Sequence, residues 1–361
     1  MKLIPVTKSF LPPLEDYVEY LKKIWESNQL TNHGPLVNEL ESRLKEYLGV
    51  KHLFFVSNGT IALQIAIKAL ALQGEVITTP FSYVATTSSI VWEGCQPVFV
   101  DIDPKTLCLD PDLIEAAITP QTSAIIATHV YGIPCAVEKI QAIAEKHNLK
   151  VVYDAAHTFG VKYQGRSLVS YGDIATLSFH ATKLFHTVEG GAIITEDDEL
   201  AHRISYMRNF GHNGQEAFWG LGVNGKNSEF HAAMGLCNLP HVAEIVASRR
   251  QVSEWYDELL VSSSLVRPTM PGNTEYNFAY YPVLFQSELK LLRARDMLNE
   301  QQIFPRRYFF PSLNKLPYAP DREFPVAEAS SSCVLCLPLY PDLSRQDVQK
   351  ITDIIILATK G

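Results

Sequence analysis

The sequence has no excess of positive charge. Its 31 Lys and Arg stand against 39 Asp and Glu, a net of −8. No basic run supplies the electrostatic footprint that a phosphate backbone requires, so nucleic acid is not an expected partner. It also has no apolar run near the roughly 18 residues of a membrane span. The most apolar tail, Ile354-Ile355-Ile356-Leu357, is far too short, and no membrane partner is expected. Met1-Lys2-Leu3-Ile4-Pro5 carries a charge but no apolar h-region, so no secretory signal is expected. Six cysteines are too few for a disulfide framework in 361 residues, which points to reduced thiols and a cytoplasmic location. The close pair Cys333-Val334-Leu335-Cys336 sits in an apolar stretch that reads as a buried strand. No second pair completes a zinc site, so no metal is expected there. Repeats and low-complexity tracts are absent as well.

The chain is rich in core-forming residues, with 47% hydrophobic and 10% aromatic. At about 150 residues per domain, its length suggests two domains. Short apolar runs alternate with helical patterns from about residue 36 to 240. Strands are expected at Leu53–Val56, Val76–Thr78, Pro97–Val100, Ala124–Ala127, Lys150–Tyr153, Ile174–Leu177 and Ala192–Thr195. Helices are expected at Thr60–Leu72, Tyr83–Trp92, Leu113–Ile118 and Val137–His147, with another at Leu14–Trp25 packing on either domain. This alternation implies an α/β fold with a mostly parallel sheet covered on both faces. A long helix at His241–Leu260 leads to a smaller mixed segment, which gives a large domain at 1–240 and a small C-terminal α+β domain at 241–361.

Ligands of such sheets sit beyond the carboxyl ends of the strands. Four of these ends carry useful groups. Ser57-Asn58-Gly59-Thr60 opens a helix, where either a simple cap by Ser57 or Asn58 or a phosphate site on free amides fits the residues. Pro80-Phe81-Ser82-Tyr83 puts an aromatic at the mouth of the sheet. Asp154, at the end of its strand, either caps a helix or holds a cationic ring nitrogen, and His157 follows in Ala155-Ala156-His157. Lys183, in Ser178-Phe179-His180-Ala181-Thr182-Lys183, lies among small and apolar residues between two strands, where desolvation would lower its pKa and make it nucleophilic. Phosphate donors, a stacking aromatic, an acid and a lysine together form the set that pyridoxal 5′-phosphate (PLP) requires.

These segments resemble the DegT/DnrJ/EryC1/StrS family of sugar aminotransferases, within the fold type I PLP superfamily. The resemblance runs over nearly the whole chain. It includes Leu30-Thr31-Asn32-His33-Gly34-Pro35, Asn58-Gly59-Thr60, Val100-Asp101-Ile102-Asp103, Tyr153-Asp154-Ala155-Ala156-His157 and Leu337-Pro338-Leu339-Tyr340-Pro341. Its most specific part is Ser178 to Lys183 followed by Glu189-Gly190-Gly191. The resemblance implies the three-layer PLP-transferase fold and PLP bound as a Schiff base on Lys183. It implies that Asp154 pairs with the pyridinium nitrogen, His157 lies near the phenolic oxygen, and Tyr83 stacks on the ring. The phosphate would be held at Asn58, Gly59, Thr60 and Ser178, with Asn224 reaching it from the other subunit of a homodimer with shared active sites. Relatives often carry Tyr-Arg after that Asn, whereas Gly225-Lys226 follow here.

The reaction implied is amino transfer from glutamate to a nucleotide-linked keto-6-deoxyhexose, a step toward O-antigen or another surface glycan. Ile24-Trp25-Glu26-Ser27, Glu75 to Pro80 and Asn224-Gly225-Lys226 favour the branch that aminates C4 of a dTDP-linked sugar. A 3-amino product is the alternative. Lys183 argues against the sugar dehydratases that carry His at this position. A nucleotide-sugar oxidoreductase is the competing class, and a catalytically silent regulator the third. Gly220-Leu221-Gly222-Val223-Asn224-Gly225 matches a dinucleotide pattern, and with Lys226 nearly a P-loop, but the polar stretch before it cannot be the required strand. His129, His180, His186 and His212 show no metal-ligand spacing, and Asp101 and Asp103 read as a strand end running into a turn.

Overall fold

Apolar runs bounded by Gly, Pro or Asp become the strands of one seven-stranded sheet in a computed structural model of the chain. The structure describes residues 3–319 and 322–360. Met1 and Lys2, the start of the stretch considered for an export signal, lie outside the described residues. The sheet strands are β1 (His52–Val56), β2 (Glu75–Thr78), β3 (Gln96–Phe99), β4 (Thr122–Thr128), β5 (Lys150–Asp154), β6 (Ile174–Ser178) and β7 (Gly191–Thr195). Their spatial order is β1-β7-β6-β5-β4-β2-β3. Only β7 runs antiparallel, wedged between β1 and β6. Consecutive β-branched and apolar residues such as Ile125 and Ile126 in β4 are fully buried, as a sheet covered on both faces demands.

One face is covered by α3 (Gly59–Ala69), α4 (Val84–Trp92) and α6 (Asp198–Met207). The other packs α2 (Pro35–Leu48), α5 (Val137–His147) and α7 (Glu229–Asn238) into the larger core. The N-terminal helix α1 (Leu14–Ser27) lies on α7, with Ile24 in that core and Trp25 edge-on to Phe230 at 6.0 Å. The long helix α8 (Val242–Leu260) spans two cores. Val242 and Ile245 join the larger one, while Val252, Tyr256 and Leu260 join a second core. That second core gathers the hairpin-like pair β8 (Tyr281–Leu284) and β9 (Val334–Leu337) with α9 (Glu288–Glu300) and α11 (Arg345–Thr359). A further helix, α10 (Pro325–Cys333), precedes β9.

Two expectations are corrected. Leu113–Ile118 is not an α-helix but two 3-10 turns, Pro111–Leu113 and Glu115–Ala117, squeezed between Pro111 and Pro120. The N-terminal residues do not all belong with the large core: Ile4–Pro5 pair in parallel with Ile303–Phe304, and Ile4 packs in the second core. The Cys333–Cys336 segment is a helix end followed by the expected buried strand, and all six cysteines are free. Among the described residues, no helix is long and apolar enough to cross a membrane.

Candidate active site

The carboxyl ends of β1, β5 and β6, with the loop after β2, open into a cavity of about 380 Å³. Asn58, Gly59, Thr60, Tyr83, Asp154, His157, Ser178 and Lys183 all line it. Asn58 caps α3, its side-chain oxygen accepting the N–H of Ile61 at 2.9 Å. The cap leaves room for an anion, because the first-turn amides have no carbonyl one turn earlier to bond. Two glycines keep this wall open. A Cβ on Gly59 would press on Ser178 Cβ at 3.1 Å, and one on Gly191 would strike the Asn58 backbone at 2.6 Å. Gly191 pairs across both neighbours, with Val56 in β1 and Ser178 in β6, so β7 fixes the spacing of the two loops.

Asp154 ends β5 as a buried carboxyl on the cavity wall. Burial pushes its carboxyl pKa up, and three contacts oppose that: Thr86 Oγ1 donates to Oδ2 at 2.6 Å, Ala156 N–H donates to Oδ1 at 3.2 Å, and Lys183 is nearby as a positive charge. Lys183 shows the converse. Desolvation lowers its amine to about 8, while Asp154 pulls the other way. An amine near neutrality is a nucleophile and a proton carrier. His157 is buried beside Tyr280 (rings 4.7 Å apart) and Phe309 (5.8 Å). Its Nδ1 accepts the N–H of Tyr131 at 3.1 Å, and burial, aided by the Lys183 charge, keeps the ring neutral. The hydrogen therefore sits on Nε2.

Tyr83, at the head of α4, is 60% exposed, with its ring free to cover a bound group. Asn224 does not line this cavity. It is exposed on a loop that bridges back to Asn209. In that loop a Cβ on Gly222 would meet Gly211 N at 2.2 Å, and one on Gly225 would meet Ile65 Cδ1 at 2.9 Å. The glycine run is thus a doubled-back backbone crossing and not a dinucleotide turn. Lys226 donates to Asn209 at 2.8 Å and lies over the Phe210 ring.

The histidines do not converge. His186 is bound by Phe10 and Asn238, His129 stacks on Tyr153 at 4.5 Å, His180 contacts Thr182, and His212 stacks on Phe218. No group able to hold a metal ion is found among the described residues. Asp101 accepts two N–H groups of α10, from Val326 and Ala327, and Asp103 closes a turn through Lys105 and Thr106.

Several cavity residues were not anticipated. Ser82 and Thr128 line it, and Thr86 reaches Asp154; polar residues on the otherwise apolar α4 were the available signal. Tyr280, Arg306, Tyr308 and Phe309 enter from the C-terminal part of the chain, where the run Arg306-Arg307-Tyr308-Phe309-Phe310 is the one hint. Arg307 is committed to Glu288 and to the carbonyl of Ser332. The Arg306 backbone is clamped to Cys336 in both directions, which leaves its exposed guanidinium on the cavity wall. The donor set fits PLP: first-turn amides for a phosphate, a buried anion for a ring nitrogen, a neutral N–H donor, and a desolvated amine.

The chain is 44% identical to the dTDP-4-amino-4,6-dideoxy-D-glucose transaminase of Shigella dysenteriae, with 98% of each chain covered. It is 41% identical to the protein of the same name from Escherichia coli, again over 98% of each. Among solved structures, DesI in the presence of its TDP-sugar product superposes with a TM-score of 0.95 at 34% identity, covering 100% of this chain and 94% of that one. The DegT/DnrJ/EryC1/StrS aminotransferase family model matches residues 14–356. Together with the lysine, acid and amide donors of one strand-end cavity, that match makes this chain a member of the DegT/DnrJ/EryC1/StrS aminotransferase family.

Proposed function

We propose that this protein is a PLP-dependent transaminase that moves the amino group of L-glutamate to dTDP-4-keto-6-deoxyglucose, giving dTDP-4-amino-4,6-dideoxyglucose. The observation that carries the reading is the meeting of the desolvated Lys183 amine and the buried Asp154 carboxylate in one cavity walled by the first turn of α3. When bound, the cofactor supplies an electron sink for charge developing at the donor's α-carbon. The protein's residues do the rest. The amides at Gly59 and Thr60, with the Ser178 hydroxyl, hold the phosphate, and Asn58 fixes the turn that presents them. Asp154 would keep the ring nitrogen protonated, His157 would donate through Nε2 to the phenolic oxygen, and Tyr83 would cover the ring face. Lys183 Nζ would anchor the cofactor, and the amine is placed to carry a proton to and from the donor's α-carbon.

Arg306 offers a positive charge at the same wall for an anionic substrate group. The exposed Asn224 loop supports a homodimer in which this residue completes the partner's phosphate site. Choice of the dTDP-linked sugar rests on the two curated relatives, which match over nearly their full lengths. We place the reaction in the cytoplasm, with the six free cysteines reduced.

The test is the visible spectrum of PLP-loaded protein before and after glutamate, then product analysis with dTDP-4-keto-6-deoxyglucose. A cofactor band that collapses with glutamate and returns with the keto sugar, alongside an amine at C4 by NMR, is the expected result. No band, or none that glutamate alters, overturns the reading.

A further inference from the structure

Thr128 ends β4 directly beside Asp154, its register partner in β5. From there a line of hydroxyls leads back to the same carboxylate. Thr128 Oγ1 lies 3.0 Å from Ser82 Oγ, Ser82 Oγ lies 2.9 Å from Thr86 Oγ1, and Thr86 Oγ1 lies 2.6 Å from Asp154 Oδ2. All three hydroxyl residues are buried, each at 2% exposure or less.

We propose that Thr128, Ser82 and Thr86 form a directed hydroxyl chain whose function is to hold Asp154 as an oriented anion for the ring nitrogen of the bound cofactor. The inference rests on the cofactor reading above and goes one layer further out. Each hydroxyl has a single hydrogen. A carboxylate only accepts, so Thr86 donates to Asp154, Ser82 must then donate to Thr86, and Thr128 to Ser82. Every hydrogen is then satisfied, and each donor polarises the next. If Asp154 were protonated at Oδ2, the chain would have to reverse. The Thr128 hydrogen would then have to leave Ser82 and turn toward the cavity, losing its partner within the chain. The chain therefore favours the anion against the desolvation that opposes it.

The other groups acting on this carboxylate are few. Ala156 N–H binds Oδ1, and Lys183 lies on the loop after β6. The Cys135 thiol, beyond β4, is pushed up by burial and stays neutral. The packed elements α4, β4 and β6 contain no charged side chain. Thr86, Ser82 and Thr128 are positioning residues.

The experiment uses 4′-deoxypyridoxine 5′-phosphate, which lacks the aldehyde and reports the ring contact without Lys183 chemistry. Its affinity is measured from acid to neutral pH for wild type, Thr86→Val, Thr86→Ser, Ser82→Ala and Thr128→Val, with thermal unfolding checking that each variant folds. On the acid side, Thr86→Val is expected to bind about ten-fold more weakly, its acid limb moved up by about one pH unit. Thr86→Ser restores the wild-type limb, and Ser82→Ala and Thr128→Val move it by about three-fold in the same direction. An unshifted limb in Thr86→Val, or an equal shift in Thr86→Ser, overturns the inference while leaving the cofactor reading intact. Unshifted Ser82→Ala and Thr128→Val overturn the chain beyond Thr86. Failure of the wild type to bind the analogue overturns the cofactor reading, and this inference with it.

Discussion

His157 and Tyr131 are joined by a hydrogen bond of 3.1 Å in which the imidazole Nδ1 accepts a backbone N–H. That contact commits the ring to one tautomer, with Nε2–H as its sole donor. His157→Gln, whose amide can still donate, is expected to keep measurable turnover. His157→Leu is expected to lose about ten-fold or more in kcat, the order expected for a lost charge-stabilising donor. Because the ring stays neutral, the pH–rate profile should show no inflection at an ordinary histidine value. One that vanishes in His157→Gln contradicts the tautomer assignment.

Lys183 makes the second prediction. With its amine lowered to about 8, the rate of PLP attachment to apoprotein should rise with pH through an inflection near 8. Asp154 acts to raise that value, so Asp154→Asn should move the inflection down. Stopped-flow reconstitution across pH reads both, with Lys183→Ala as the blank. An inflection near 10.5, or an upward move in Asp154→Asn, goes against the electrostatics described here.

Acid stability depends on a different histidine. His129 is fully buried, its Nδ1 accepts the Cys135 N–H at 3.0 Å, and burial depresses it to about 3. The folded value lies below that of the unfolded chain, so the unfolded state takes up the proton first. Stability is complete above about pH 6.5 and is lost as pH falls, by about 2 kcal/mol at about pH 5. Urea unfolding at about pH 7.5 and about pH 5 should show this loss in wild type and a smaller one in His129→Asn, which keeps an acceptor for Cys135. Equal losses in both would locate the sensitivity elsewhere.

The fourth prediction concerns a buried ion pair. Arg208 donates to Glu41 and to the carbonyl of Phe55, while Glu41 accepts the Phe55 N–H at 2.7 Å. Burial alone would raise Glu41, but Arg208 and His33 more than offset it and hold the carboxyl down. Arg208→Met leaves that charge stranded and is expected to cost about 3–5 kcal/mol. Arg208→Met combined with Glu41→Gln should cost less than the sum of the two singles, because neither charge is then left alone. Denaturant unfolding of the four proteins tests it, and strict additivity would refute the coupling.

The strands and most helices were legible because their apolar runs are short, buried on both faces and punctuated by turn residues. Val137–His147 has the bounds expected for it. α2 (Pro35–Leu48) is not among the expected helices. Its buried Leu36, Leu40 and Leu44 recur at helical spacing, but Glu39, Glu41, Arg43 and Lys45 between them mask the stripe. In the site, residues that sit at strand ends were found by that rule alone. Thr86 and Thr128 escaped because a hydroxyl in a helix or strand reads as ordinary until a partner from another element is known. Arg306, Tyr308 and Phe309 escaped because they lie more than a hundred residues beyond the last strand of the sheet.

The insertion of β7 between β1 and β6 bears on how the chain is made. β1 is an edge strand whose one neighbour in the sheet is β7, some 140 residues later in synthesis. Until Thr195 has left the ribosome, the apolar Leu53-Phe54-Phe55-Val56 has no strand to pair with, and nothing ties the turn after it to Ser178. The first strand of the sheet in chain order is thus seated only once the last has been made. The nascent protein must keep that segment soluble over some 140 residues of elongation, which makes β1 the natural point for chaperone capture or early aggregation.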